Sequence, residues 1–137
     1  MAFDTQDGTL SAEVVANLFE QAWQVRENAH VIGPTRVGCA VLTTDGRIYA
    51  GCNVEHRFRS HDVHAEVNAI TSMVAAGRKD LQAVAIAAER ERFTPCGACM
   101  DWIIQFASEN CTVLAQSQPG GEVQVFTVRE LMPYYPH

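Results

Sequence analysis

The sequence predicts an α/β fold: a sheet sandwiched between helices, with some of its strands paired in parallel. Three observations carry this. Helical and strand-like stretches alternate along the 137 residues in the order α-β-β-α-β-α-β-β-α. Ala83–Ala88 is a short, unbroken apolar run of the kind buried on both faces of a sheet. Asp45-Gly46 separates two apolar stretches, as a two-residue hairpin turn does.

Each element has its own local signal. Ser11 is a suitable N-cap for a helix running to about Asn28, with Val14, Val15, Leu18, Phe19, Ala22 and Val25 on one face. Residues 29–36 contain Gly33-Pro34 and read as loop. Val37–Thr43 and Ile48 to about Val54 are the two strands of the hairpin. Residues 55–63 form a polar, charged loop. His64–Ala76 is an Ala-rich helix stopped by Gly77. After the strand 83–88 and a charged loop, Pro95 opens a helix expected from Cys96 to about Glu109. Thr112–Gln116 and Glu122–Val128 are strands around Pro119-Gly120-Gly121, and Arg129–Met132 is a last helical turn. Residues 1–10 are expected to be loose and 11–137 to form one domain.

Composition narrows the function. Apolar residues make up 47 % and charged residues 19 %, which is globular. The net charge of −6 argues against a surface built to grip nucleic-acid backbones. No apolar run approaches the roughly 20 residues of a membrane span. Met1–Leu10 has neither the basic nor the apolar region of a signal peptide, so the cytoplasm is the expected location. There thiols stay reduced, and Cys96-x-x-Cys99, two of five cysteines, reads as metal or redox chemistry.

His64, Cys96 and Cys99 offer three protein ligands, which suits a catalytic zinc with an open fourth position. Both ligand segments open predicted helices, where the positive end of the helix dipole favours thiolate. Cys96 and Cys99 are three apart and share a helix face. Two thiolates and a neutral imidazole balance Zn²⁺ to zero, leaving it electrophilic enough to acidify water. Glu66 separates this from a structural site, which needs four ligands and no spare carboxylate. It is placed to carry protons between water, a ring nitrogen and a leaving amine. A thioredoxin-like dithiol would put the Cys pair on the first helix, whereas here it opens the third. Cys39, Cys52 and Cys111 read as small core residues, and His30 and His137 as surface residues. His56 and His61 flank the presumed pocket.

His-x-Glu followed by Pro-Cys-x-x-Cys is the recognised signature of zinc deaminases acting on nucleobases. With Val37-Gly-x-Ala-Val-Leu-x-x-Asp-Gly46, Gly51-x-Asn-Val-Glu55 and Arg129-Glu-Leu-Met-Pro133, it makes the chain resemble the cytidine deaminase family, including blasticidin S deaminase relatives, from Ala12 to Pro133. The resemblance implies a three-layer α/β fold with a five-stranded mixed sheet between helices. It implies one Zn²⁺ per subunit and hydrolysis of the C4 amine of cytidine or deoxycytidine, giving uridine or deoxyuridine and ammonia. Asn53 and Glu55, on one strand face, are implied to hold the ribose hydroxyls. Backbone groups of Ala65 and Thr94 are implied to hold the pyrimidine O2 and the departing amine. A homo-oligomer is also implied, a tetramer ahead of a dimer, in which Tyr134 or Tyr135 completes a neighbour's site.

The chain departs from the family pattern at four places. His64 stands where short members mostly have a third Cys, and Val67 where they have an Arg. The two changes belong together, because three thiolates want a nearby cation and His64 removes that need. Thr35 stands where the family has a Phe packing on the nucleoside. The loop His56-Arg-Phe-Arg-Ser-His-Asp-Val63 carries two arginines, Arg57 and Arg59, beside the pocket. His64–Ile70 looks like the matching segment of deoxycytidylate deaminases. These departures motivate an alternative with the same chemistry: a modified cytosine nucleoside, a blasticidin S-like aminoacylnucleoside antibiotic, or a nucleotide gripped by Arg57 and Arg59. A nucleic-acid deaminase would need a basic or stacking channel, which the acidic balance opposes.

Overall fold

A computed structural model describes residues 10–136. Apart from Leu10, the expected loose segment 1–10 lies outside them, as does His137. The elements are α1 (Ala12–Arg26), β1 (Val37–Thr43), β2 (Ile48–Cys52), a 3₁₀ turn (Arg59–His61), α2 (Ala65–Ala75), β3 (Leu81–Ala88), α3 (Gly97–Phe106), β4 (Ala107–Gln116), β5 (Val123–Thr127) and α4 (Val128–Leu131). Five strands form one mixed sheet in the order β2-β1-β3-β4-β5, with only β3 and β4 parallel. Among the described residues, no helix is long and apolar enough to cross a membrane.

Three layers follow from how the central strands bury both faces. Every residue of β1 and β3 is buried. Ala40, Leu42, Ala83, Ala85 and Ala87 face α1, meeting Val14, Leu18, Phe19 and Ala22. Cys39, Val41, Val84 and Ile86 face α2 and α3, meeting Ala69, Ile70, Met73 and Ile103. Each fully buried Leu, Ile or Met contributes about 1.5–3 kcal/mol. Two glycines let the helices come close. A Cβ on Gly38 would stand 1.9 Å from the Ala22 carbonyl oxygen, and one on Gly51 would stand 2.4 Å from the Ala69 nitrogen.

The caps form as the sequence predicts. The Val14 N–H donates to Ser11 Oγ at 3.1 Å, and Gly77 takes φ +90° after α2. The last helix is sharpened by a capping box between Thr127 and Glu130.

Several boundaries differ from expectation: β3 opens at Leu81 rather than Ala83, β4 at Ala107 rather than Thr112, and β5 and α4 shift by a residue. α3 stops at Phe106, three residues before the predicted Glu109, and β4 begins at once. Ala107 pairs with Leu81, and Ser108 Oγ donates to the Leu81 carbonyl at 2.8 Å. These long-range bonds outweigh the local helical pattern. β2 stops at Cys52 rather than Val54, because Val54 instead bridges His30 and Val63. This draws the 56–63 loop against the end of the sheet.

The candidate active site

β1 runs antiparallel to β3, so Val37 at its start lies beside Ala88 at the end of β3. Asn53 follows β2 at the same end of the sheet. The starts of α2 and α3 converge there, outside the carboxyl end of a parallel strand. His64 is the N-cap of α2 and Cys96 the N-cap of α3, yet neither side chain caps its own helix. They turn toward each other instead. His64 Nδ1 lies 3.2 Å from Cys99 Sγ and 3.5 Å from Cys96 Sγ. All three donor atoms lie within 4.8 Å of one another.

This donor set fits zinc. Tetrahedral zinc with Zn–S and Zn–N bonds of ordinary length sets a sulfur–nitrogen separation of about 3.6 Å, close to both values here. The imidazole presents Nδ1, which the sequence did not reveal. The electrostatics agree. Burial pushes the Cys99 thiol far up, and the nearby Glu66 and Cys96 push it the same way. A divalent cation among the three donors reverses that, since a coordinating thiol is deprotonated outright.

Glu66 lies in the first turn of α2, only 3 % exposed. Burial pushes its carboxyl above the ordinary range, while its own backbone N–H, His64 and the Cys99 thiol pull it down. It is thus a buried carboxyl beside the donor set, in an environment that favours holding a proton.

A cleft of about 360 Å³ opens over this group. It brings together Asn53, Glu55, Arg59, His64, Ala65, Glu66, Thr94 and Cys96, which are dispersed over 44 residues of sequence. Thr35 also lines it, as the sequence reading placed it. Asp62, Arg90 and Phe93 line it too. Sequence reasoning missed these three, since nothing in a charged loop marks which side chain turns inward. His56, Arg57, Tyr134 and Tyr135 are not among the lining residues. His56 instead stacks on Phe58 and meets His61 edge-on in an exposed cluster. The Tyr135 hydroxyl donates to Asp101 on α3 at 2.9 Å, and Tyr134 is 95 % exposed. A larger hollow, about 720 Å³, lies at the other end of the sheet around Ala107–Thr112 and Thr127–Arg129. It gathers none of the donor set, so chemistry rather than size picks the site.

Asn53 and Glu55 are held firmly. Asn53 Oδ1 accepts from the Val37 N–H at 2.8 Å, and its Nδ2 donates to the Thr35 carbonyl at 2.9 Å. Glu55 Oε1 accepts from the N–H groups of Ile32 and Gly33 at 2.7 and 2.8 Å. Those two bonds, with Arg59 beside them, hold the Glu55 carboxyl below the usual carboxylate range. Asn68 is a further residue the sequence reading did not single out. Its Oδ1 accepts from the Cys52 N–H at 2.9 Å and ties α2 to the end of β2. Cys39, Cys52 and Cys111 are buried, as expected of core residues. Burial pushes the Cys111 thiol up to about 12.

A three-layer fold with a His-Cys-Cys donor set on two helix starts and a buried Glu beside it defines a zinc-dependent deaminase. The comparisons agree. The family model for the cytidine and deoxycytidylate deaminase zinc-binding region matches residues 12–115. The chain is 34 % identical over 121 residues to the cytidine deaminase of Sporosarcina psychrophila, covering 87 % of this chain and 88 % of that one. It is 33 % identical over 118 residues to the cytidine deaminase of Halalkalibacterium halodurans, covering 85 % and 89 %. The crystal structure of the Burkholderia pseudomallei cytidine deaminase superposes with a TM-score of 0.79 at 30 % identity, over 91 % of this chain and 98 % of that one. This chain belongs to the cytidine and deoxycytidylate deaminase family.

Proposed function

We propose that this chain hydrolyses cytidine and deoxycytidine to uridine and deoxyuridine, releasing ammonia, and that residues 11–137 form one catalytic domain. The observation that carries the reading is the convergence of His64, Cys96 and Cys99, with His64, Cys96 and the buried Glu66 lining one cleft. These three residues would hold one zinc per chain. Bound zinc lowers the pKa of water to near neutrality and so supplies a nucleophile. Glu66 accepts one proton from the attacking water and places it on ring N3, then takes the second from the hydroxyl now bonded to C4 and carries it to the amine, which departs as ammonia while C4=O forms. Its burial supports that work, because desolvation raises the carboxyl above its ordinary value and eases its holding of a proton.

The remaining lining groups bind and orient. The backbone of Ala65 and Thr94 holds the pyrimidine O2 and the leaving amine. Asn53 and Glu55 take the sugar hydroxyls. After its two bonds to the protein, Asn53 retains an N–H and an acceptor lone pair. Phe93 places an aromatic ring on the cleft wall. The two loop arginines give a nucleotide reading little support. Of the two arginines the sequence offered for a phosphate, Arg57 is not among the lining residues and Arg59 is bonded to two carboxylates. The proposed setting is pyrimidine salvage in the cytoplasm. The proposed assembly is a homotetramer, with Tyr134 or Tyr135 offered to a neighbouring copy.

The test is ammonia release by zinc-loaded protein from cytidine, deoxycytidine, deoxycytidylate, cytosine and blasticidin S, with Glu66→Gln alongside. Turnover of the two nucleosides is expected, reduced about a thousandfold in Glu66→Gln with zinc content retained. Silence on both nucleosides, with zinc bound and the fold intact, would overturn the substrate and redirect the search to modified bases.

A further inference from the structure

The geometry points to Arg59 as a positioning residue that fixes Glu55 for the sugar hydroxyl without itself touching substrate. Its guanidinium spans two carboxylates. Nη2 lies 3.1 Å from Glu55 Oε2, and Nε donates to Asp62 Oδ2 at 2.9 Å. Asp62 is itself tied down, its Oδ1 accepting from the His56 N–H at 2.7 Å. A chain of bonds therefore runs from the loop backbone through Asp62 and Arg59 to Glu55.

The two acids and the base divide the work by exposure. The side chains of Glu55 and Asp62 are 13 % and 17 % exposed, while that of Arg59 is 53 % exposed. The carboxylates lie in the wall of the cleft and the guanidinium covers them from the solvent side. Counting acceptor positions shows what remains for substrate. A carboxylate offers about two positions on each oxygen. Glu55 Oε1 fills both with the N–H groups of Ile32 and Gly33. Oε2 spends one on Arg59 and has one left. The sugar hydroxyl must donate to the same oxygen that Arg59 orients. With two carboxylates on one guanidinium, this three-residue cluster is net negative.

This inference rests on the reading that Glu55 binds the sugar, and the test separates the two. Steady-state kinetics on cytidine would be measured for Arg59→Ala, Arg59→Lys, Asp62→Asn, Glu55→Gln and the Glu55→Gln/Arg59→Ala pair. 2′,3′-Dideoxycytidine serves as a competitor that lacks the hydroxyls. Arg59→Ala should raise the cytidine KM about fivefold and leave kcat within about twofold. The inhibition constant of the dideoxy compound should not move. Arg59→Lys should recover part of the loss, and Asp62→Asn should reproduce part of it. The double variant should match Glu55→Gln alone, since Arg59 acts only through that residue. Additive losses would overturn the inference by showing that Arg59 meets substrate directly. An unchanged cytidine KM in Arg59→Ala, with Glu55→Gln impaired, would overturn it while leaving the sugar clamp standing. An unchanged KM in Glu55→Gln would overturn the sugar clamp and the inference with it. Should Arg59→Ala fail to fold, Arg59→Lys and Asp62→Asn carry the test, and no rise in cytidine KM in either would overturn it.

Discussion

Replacing Gly51 by Ala would wedge β2 away from the helix that carries Glu66. The added methyl would stand 2.4 Å from the Ala69 nitrogen, 2.7 Å from Asn68 Oδ1 and 2.8 Å from the Asn68 carbonyl carbon. Two of these are backbone atoms of α2 and cannot rotate away. Reaching ordinary contact, about 3.4 Å, requires strand and helix to separate by about 1 Å. Overpacking of this kind costs about 1–3 kcal/mol, which for a domain of this size lowers Tm by roughly 4–12 °C. The functional loss should be larger in proportion. α2 begins immediately after His64 and holds Glu66 in its first turn, while β2 leads directly into Asn53. The separation therefore moves Glu66 relative to Asn53, and with them the proposed proton carrier relative to the proposed sugar clamp. A misplacement of about 1 Å costs on the order of a hundredfold in rate. Calorimetry and steady-state deamination of cytidine on zinc-loaded protein would read both effects. A Tm within about 2 °C of the parent and kcat/KM within about twofold would refute the claim that this close approach sets the site.

Two further predictions concern how the frame is held. Asn68→Ala leaves the Cys52 N–H without its acceptor and should cost about 1–3 kcal/mol in denaturant unfolding, with Asn68→Asp losing less because an acceptor remains; equal losses would show that the bond is not the cause. Asp80 bonds Arg78 and Thr44, and the Arg78 bond above all holds its carboxyl well below the usual carboxylate range. A carboxyl depressed in the folded state stabilises above its unfolded pKa of about 3.9 and loses that advantage as pH falls toward the folded value. Urea unfolding should find the parent more stable than Asp80→Asn by about 1 kcal/mol at pH 7, with the gap closing below about pH 4; a gap that stays constant into acid would contradict the assignment.

What could be read locally was read from the sequence by itself. His64-x-Glu66 and Cys96-x-x-Cys99 are short spacings at helix starts, and a helix start places its first residues in a known relation whatever the rest of the chain does. The alternation of helix and strand, the Ser11 cap and the Asp45-Gly46 turn are local in the same sense. α3, by contrast, was read three residues too long, because its end is set by Ala107 pairing with Leu81 and Ser108 bonding the Leu81 carbonyl, across 26 and 27 residues of sequence. The 56–63 loop shows the same limit at the site. Its arginines are equivalent as sequence, yet Arg59 lines the cleft between Glu55 and Asp62 while Arg57 is not among the lining residues. Only the tertiary structure decides this, because the side on which a loop residue falls depends on where Val54 meets Val63 and His30. Asp62, Arg90 and Phe93 join the cleft for the same reason: spacing along the chain sets a helix face, but only the packed sheet decides which loop side chains turn toward the zinc-binding residues.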